Sequence, residues 1–250
     1  MLILPSRRIS QPQAAVGINW GNPLANGLIS AWVPAVLIKD GSASQPLGGS
    51  RVVGLYGAGV LFNGTSDSIS LGARALYASS GTRIALIKVG SASGTRNISA
   101  MGTGGTGFRL NGTGIEIVST LVASVHLAAS AVSANEVCSV AIGYESFNTA
   151  IYKNGNVLST QTTNTVPSLT STADYIGQTG AGSQFFDGTI YAHLSFNRKL
   201  RDAEIRLLSA NPWQIFRPAA RAIWVPDAVG GGGDASNAPR YFHRTQSGQA

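Results

Sequence analysis

Charge is scarce in this sequence. Asp, Glu, Lys and Arg together supply 12% of its 250 residues, while apolar residues supply 44%. Disordered chains show the reverse balance, so a packed core is expected. Cysteine is nearly absent too. The single Cys138 excludes an intrachain disulfide; it lies in an apolar stretch, residues 137–142, and reads there as a small hydrophobe. No pair of Cys or His has zinc-ligand spacing. No apolar run is long enough to cross a membrane as a helix, and Met1-Leu2-Ile3-Leu4-Pro5 is too short for a signal-peptide core. A protein made in a reducing cytoplasm, with no membrane partner, is the expectation.

Clustered basic residues are also missing. The formal net charge is +7, but much of the excess sits near the ends, at Arg7, Arg8, Arg217, Arg221, Arg240 and Arg244. Without a Lys/Arg run interleaved with aromatics, nucleic acid is not an expected partner. Arg7, Arg8, Arg217, Arg221 and Arg240, with Tyr241 and Phe242, are read instead as docking residues on extended arms. Catalytic chemistry is thin as well. His126 and His193 fall in strand patterns and read as half-buried groups with ordinary hydrogen bonds. Residues 102–107 (Gly-Thr-Gly-Gly-Thr-Gly) lack the Lys and the strand-to-helix setting of a phosphate loop.

Turn residues, by contrast, are plentiful. The 31 glycines and the many Ser, Thr and Asn suit short strands joined by tight turns. Period-two alternation marks residues 27–33, 60–62 and 69–71, the latter two flanking Asn63-Gly64. In 82–89 one face carries Ile84, Leu86 and Lys88, the other Arg83, Ala85, Ile87 and Val89. Further strands are expected at 108–111, 115–118, 122–127, 137–144 and 175–177. Residues 149–158 form a hairpin whose Asn154-Gly155 pair suits a type I′ turn. In 188–196, Ile190, Ala192, Leu194 and Phe196 are expected on one face. One helix is expected at 201–210, with Leu200, Ala203, Leu207 and Leu208 on its stripe, Asp202 and Glu204 in its first turn and Asn211-Pro212 closing it. Arg198 is placed to pair with Glu204 or Asp202, as an ordinary surface ion pair. Many short strands with one late helix imply two packed antiparallel sheets.

Three stretches in series resemble the concanavalin A-like, laminin-G-like domains of phage and bacterial proteins. They are residues 62–71, residues 151–158, and the set Ile176-Gly177, 186–190, 196–200 and Ala203-Glu204-Ile205. The resemblance implies an all-β fold: a two-sheet antiparallel jelly-roll sandwich with one short late helix and extended terminal arms. The expected division is an arm at 1–20, the sandwich at 21–226, and a Gly-rich linker and tail at 227–250. Residues 211–218 (Asn-Pro-Trp-Gln-Ile-Phe-Arg-Pro), with 11–13 and 22–28, look like the closing and opening motifs of phage virion versions. That implies a virion structural protein, a capsid decoration or head-surface protein, docking through its arms on the major capsid protein or tail components. Such surface proteins form symmetric homo-oligomers, trimers among them. The alternative is a carbohydrate-binding adhesin or a tail- or fibre-associated receptor-binding module for a host surface glycan, with Tyr56, Tyr77, Tyr144 and Phe147 as its candidate aromatics.

No enzyme is expected. Glucanases of this fold carry Glu-x-Asp-x-Glu on one strand, and no such run exists here; Glu116, Glu136 and Glu145 stand singly. No cofactor is expected either, with calcium as the one open case: related domains bind it through loop oxygens, and Asp67, Asp174 and Asp187, read as turn residues, are the candidates.

Overall fold

The computed structural model describes residues 11–12, 16–34, 36–38, 49–54, 56–77, 80–101, 107–118, 125–162, 169–179 and 182–218. Its strands, in chain order, are β1 (Val16–Ile18), β2 (Leu28–Val33), β3 (Val36–Ile38), β4 (Ser50–Gly54), β5 (Gly57–Asn63) and β6 (Ile69–Tyr77). Then follow β7 (Ser80–Val89), β8 (Thr95–Met101), β9 (Gly107–Asn111), β10 (Gly114–Val118), β11 (Val125–Ala128) and β12 (Val137–Glu145). The last are β13 (Asn148–Lys153), β14 (Asn156–Gln161), β15 (Leu169–Ile176), β16 (Asp187–Phe196) and β17 (Phe216–Pro218), with one helix, α1 (Asp202–Ala210), before β17.

A nine-stranded sheet runs β14-β13-β12-β7-β16-β2-β3, with β5 joining β16 and β4 joining β5. A six-stranded sheet runs β11-β10-β9-β8-β15-β6. All pairings are antiparallel. The expected two-sheet jelly-roll sandwich is what the chain adopts. Alternation along β7 shows how it holds together. Ala85, Ile87 and Val89 join Phe62, Ile98, Phe108, Val140 and Ile176 in the core between the sheets. Ile84 and Leu86 point the other way, into a second apolar cluster with Leu194, Phe196, Ile205, Leu208, Trp213 and Phe216. The nine-stranded sheet is therefore covered on both faces, which explains why β7 and β16 are buried over nearly their whole length.

Two sequence expectations change here. Ile190 does not share a face with Ala192, Leu194 and Phe196: the pairing of β16 with β7 shifts register between Ile190 and Ala192. That β-bulge sends Ile190 into the inter-sheet core and the other three into the outer cluster. On α1 the buried apolar residues are Ile205 and Leu208, whereas Leu207 is 47% exposed and Ala203 is exposed. Leu200 and Leu208 of the expected stripe are buried, with Tyr152 and Trp213 in the same cluster, while Ile205 is buried where Ala203 and Leu207 were expected.

The helix start is also firmer than a surface ion pair. Arg198 grips Glu204 with both Nη atoms (2.9 and 2.7 Å) and donates from Nε to the Asn26 carbonyl. Glu204 in turn accepts from the Arg201 backbone N–H at 2.8 Å, and the Arg198 guanidinium holds its carboxyl below the usual range. Asp202 is taken by the Tyr152 hydroxyl instead. Asn211 closes the helix as expected, its N–H bonding the Leu207 carbonyl.

The Asn154-Gly155 hairpin forms as read, with φ of 50° and 78° matching a type I′ turn. Asn63-Gly64 also turns, but it carries the chain from β5 in one sheet to β6 in the other. Part of the segment read as an arm belongs to the body: β1 pairs with β17, and the buried Gln11 side chain bonds both the N–H and the carbonyl of Ala58. Cys138 is buried in the inter-sheet core, and that burial pushes its thiol up to about 12, so it is an inert packing residue. The tail at 227–250 lies outside the described residues.

Candidate functional site

Three segments far apart in sequence meet at one end of the sandwich. The first is the turn after β5. Asn63 Oδ1 accepts from the backbone N–H groups of Thr65, Ser66 and Asp67, while Asp67 Oδ2 accepts from the Asn63 N–H at 3.0 Å. The Gly64 N–H then bonds the Phe186 carbonyl, locking the turn to the third segment. The second segment, 91–96, leads from β7 into β8. The third, 184–187, leads into β16. It is clamped to β8 by Asn97, whose N–H donates to the Gln184 carbonyl and whose Nδ2 donates to Gln184 Oε1, both at 2.8 Å. Phe186 anchors it by packing edge-on against Phe62 in the core. Gly188 completes the frame: at φ 139° a Cβ would stand 2.2 Å from the Lys88 carbonyl oxygen, so no other residue fits without moving a strand.

The space between these segments is a pocket of about 510 Å³, within the usual range for small-molecule sites. Asn63, Thr65, Ser91, Ser93, Thr95 and Gln184 give it a polar wall, and the half-buried Phe185 gives it one aromatic ring. Two charged residues complete it, Arg96 and Asp187. Arg96 is 5% exposed. Its Nη1 donates to the Ser91 carbonyl, and its Nε and Nη2 are buried with no hydrogen-bond partner. Burial pushes its guanidinium below the usual value, while the negative charge of Asp187 acts in the opposite direction. That charge is felt through space, since no ion pair joins the two among the described residues.

Two carboxylates elsewhere are spent. Glu116 is paired with Arg109, and Glu136 with Lys153 at 2.6 Å. Among the residues lining the pocket, Asp187 is the only carboxylate. A second hydroxyl–imidazole pair exists deep between the sheets, where His193 Nε2 lies 2.9 Å from Ser99 Oγ. Arg83 Nη1 donates to the same oxygen at 3.0 Å, all three residues are at most 3% exposed, and none of them lines the pocket. That group is a buried polar brace, not a nucleophile facing substrate.

The candidates read from sequence are dispersed. Asp67 caps its own turn. Asp174 and Asp187 are strand residues, correcting their reading as turn residues: Asp174 is buried within β15, paired opposite Met101 and Gly72, and Asp187 opens β16. Among the described residues no three or more His, Cys, Asp or Glu side chains converge as a metal site would require. Of the sugar-facing aromatics, Tyr144 is core, Tyr56 packs edge-on against Tyr191, and Phe147 is exposed on a turn away from the pocket lining. The Tyr77 side chain is outside the described residues. Arg217 is exposed on β17; Arg7, Arg8, Arg221, Arg240, Tyr241 and Phe242 lie outside the described residues. Of all these, the pocket takes only Asp187. Sequence reading missed Arg96, Gln184 and Phe185, because nothing local to any of them says that the sheet crossing brings them together.

Residues 63–206, more than half of the chain, match the concanavalin A-like lectin/glucanases superfamily. The chain belongs to this family. No curated protein sequence matches it. Among solved structures, this concanavalin A-like chain is similar to the CBM40 module of the Ruminococcus gnavus IT-sialidase bound to α2,3-sialyllactose. The TM-score there is 0.53 at 15% identity, over 60% of this chain and 96% of that one. It is similar also to domain 4 of AbnA, a GH43 extracellular arabinanase from Geobacillus stearothermophilus, in complex with arabinotriose (TM-score 0.52, 12% identity, 68% and 83% covered). The botulinum neurotoxin serotype D binding domain gives 0.58 at 14% identity, over 75% of this chain and about half of that one, 52%. At these identities the likeness is one of fold. None of the three bears on a phage particle.

Proposed function

We propose that this chain is a glycan-binding module and that the pocket bounded by Asn63, Arg96, Gln184 and Asp187 receives a sugar residue. One observation carries the reading: Arg96, whose Nε and Nη2 find no acceptor in the fold, lines a preformed concavity beside an aromatic ring. A buried charged donor without an acceptor costs the protein about 1–3 kcal/mol or more, so a ligand that supplies the acceptor recovers that cost. Polar groups fixed on a rigid frame, with one apolar ring, suit a ligand that is a ring bearing many hydroxyls. Two of the fold neighbours were solved with a saccharide bound, which supports the same reading.

Binding without hydrolysis follows from the carboxylate count. Glycoside hydrolysis requires two carboxyl groups across one sugar, about 5–9.5 Å apart, and the pocket lining has Asp187 alone. The virion role rests on terminal motifs whose docking residues, Arg217 apart, lie outside those described, and it takes second place. The test is direct. The purified full chain is screened against a glycan array and the hits are titrated by calorimetry. Saturable binding that Ser93→Trp abolishes, by filling the pocket mouth, is expected. Absence of any saccharide ligand, with and without calcium, contradicts the reading.

A further inference from the structure

Resting on the glycan reading, we infer that the pocket selects neutral sugar residues over acidic ones, with a ligand hydroxyl bridging Asp187 and Arg96. The argument starts from the charges. The chain as a whole carries +7, yet the pocket lining carries one positive group and one negative group, every other lining residue being uncharged. The excess of the chain lies elsewhere. The pocket is therefore electroneutral in a basic protein.

The two charges are also left apart. A direct Arg–Asp pair would close the site by satisfying both partners. Here Arg96 keeps Nε and Nη2 without an acceptor, and no described residue donates to the Asp187 carboxylate. An occupant that answers both must accept a hydrogen bond and donate one. A hydroxyl does this with a single atom, having one donor and two acceptor lone pairs, and vicinal hydroxyls do it twice. A carboxylate offers acceptors only. It meets the Arg96 edge but sets a second negative charge beside Asp187. The surrounding Thr65, Ser91 and Ser93 hydroxyls can each donate and accept, which again fits hydroxyls. The fold neighbours do not decide the matter, since one was solved with an acidic saccharide and one with a neutral one.

The experiment pairs oligosaccharides that differ at one position. Galactose oligomers are compared with galacturonic acid oligomers, and glucose with glucuronic acid oligomers, each pair differing at C6, by calorimetry on the full chain. Each is run at about 50 and 500 mM NaCl, which changes the Debye length from about 14 to 4 Å. The expected result is binding of at least one neutral series, weaker binding of its acidic counterpart by about tenfold, and a neutral affinity that salt leaves unchanged. Asp187→Asn, which keeps an acceptor and adds a donor while removing the charge, is expected to collapse that preference to within about threefold. Circular dichroism establishes that the variant is folded, and Ser93→Trp, at an exposed lining position, serves as an independent block of the same pocket. Acidic sugars binding more tightly, with affinity falling as salt rises, overturns the inference and leaves the glycan reading standing. Binding of no sugar in any series overturns both. Binding that Ser93→Trp leaves intact places the site elsewhere and overturns the inference as well.

Discussion

His126 and Arg96 are almost equally buried, at 6% and 5% exposed, but their hydrogen bonds are spent in opposite ways. His126 lies on β11, the edge of the six-stranded sheet. Its Nδ1 meets Thr149 Oγ1 on β13 at 2.7 Å and its Nε2 meets Ser159 Oγ on β14 at 2.9 Å. A neutral imidazole offers one donor and one acceptor, and the two hydroxyls adapt to whichever tautomer is present. The group is a finished latch between the sheets. Arg96, at the pocket, has one nitrogen bonded and two idle. Where polar groups answer each other the fold is being held together; where they are left unanswered beside a cavity, they are open to a ligand.

The pocket side of the comparison can be broken outright at its frame. Gly188→Ala places a Cβ against the Lys88 carbonyl and forces a φ of 139° on a residue that rarely adopts it. A loss of about 3 kcal/mol or more is expected, with binding lost too, measured by urea unfolding and calorimetry. Next comes the latch. His126→Ala leaves the buried Thr149 hydroxyl and the half-buried Ser159 hydroxyl without their partner and is expected to cost about 1–2 kcal/mol while sugar affinity stays unchanged. Arg96→Met sharpens the contrast from the other side. It removes a buried, incompletely paired charge, so stability should stay within about 1 kcal/mol of the parent while binding disappears. A stability loss there as large as at His126 would remove the distinction between the two regions.

The smallest effect is in pH. Burial lowers the His126 pKa from its ordinary 6.5. As pH falls below that value the unfolded chain takes up the proton first, so stability is fully present above 6.5 and declines through the window down to the folded value. Glu204, held low by Arg198, contributes a loss only below its ordinary 4.5. The melting temperature should therefore drop between about pH 7 and 5, and His126→Gln should flatten that part of the profile.

The sequence carried the sandwich further than the site. Period-two runs located β7, β12 and β16, and Asn154-Gly155 announced its hairpin, because both signals are local and repeat along the chain. The bulge at Ile190–Ala192 left no such trace, since shifting one residue changes faces without changing composition. Leu207 was misplaced because Ile205, not Leu207, joins Leu208 in the cluster with Trp213 and Tyr152, and a count along α1 does not show where those partners lie. Asp187 was flagged for calcium because related domains bind that ion through loop oxygens. Its charge partner, Arg96, stands 91 positions earlier and looks in the sequence like any strand residue. Only the meeting of segments 63–65, 91–96 and 184–187 gives those side chains a shared meaning.

The most direct measurement is a ¹⁵N–¹H correlation spectrum of the full chain, titrated with the tightest neutral oligosaccharide from the matched panel. Shifts confined to 63–65, 91–96 and 184–188, reaching the Arg96 Nε–H, are the predicted result. Shifts that instead gather around Tyr56 or Phe147, with the Arg96 Nε–H unmoved, contradict it.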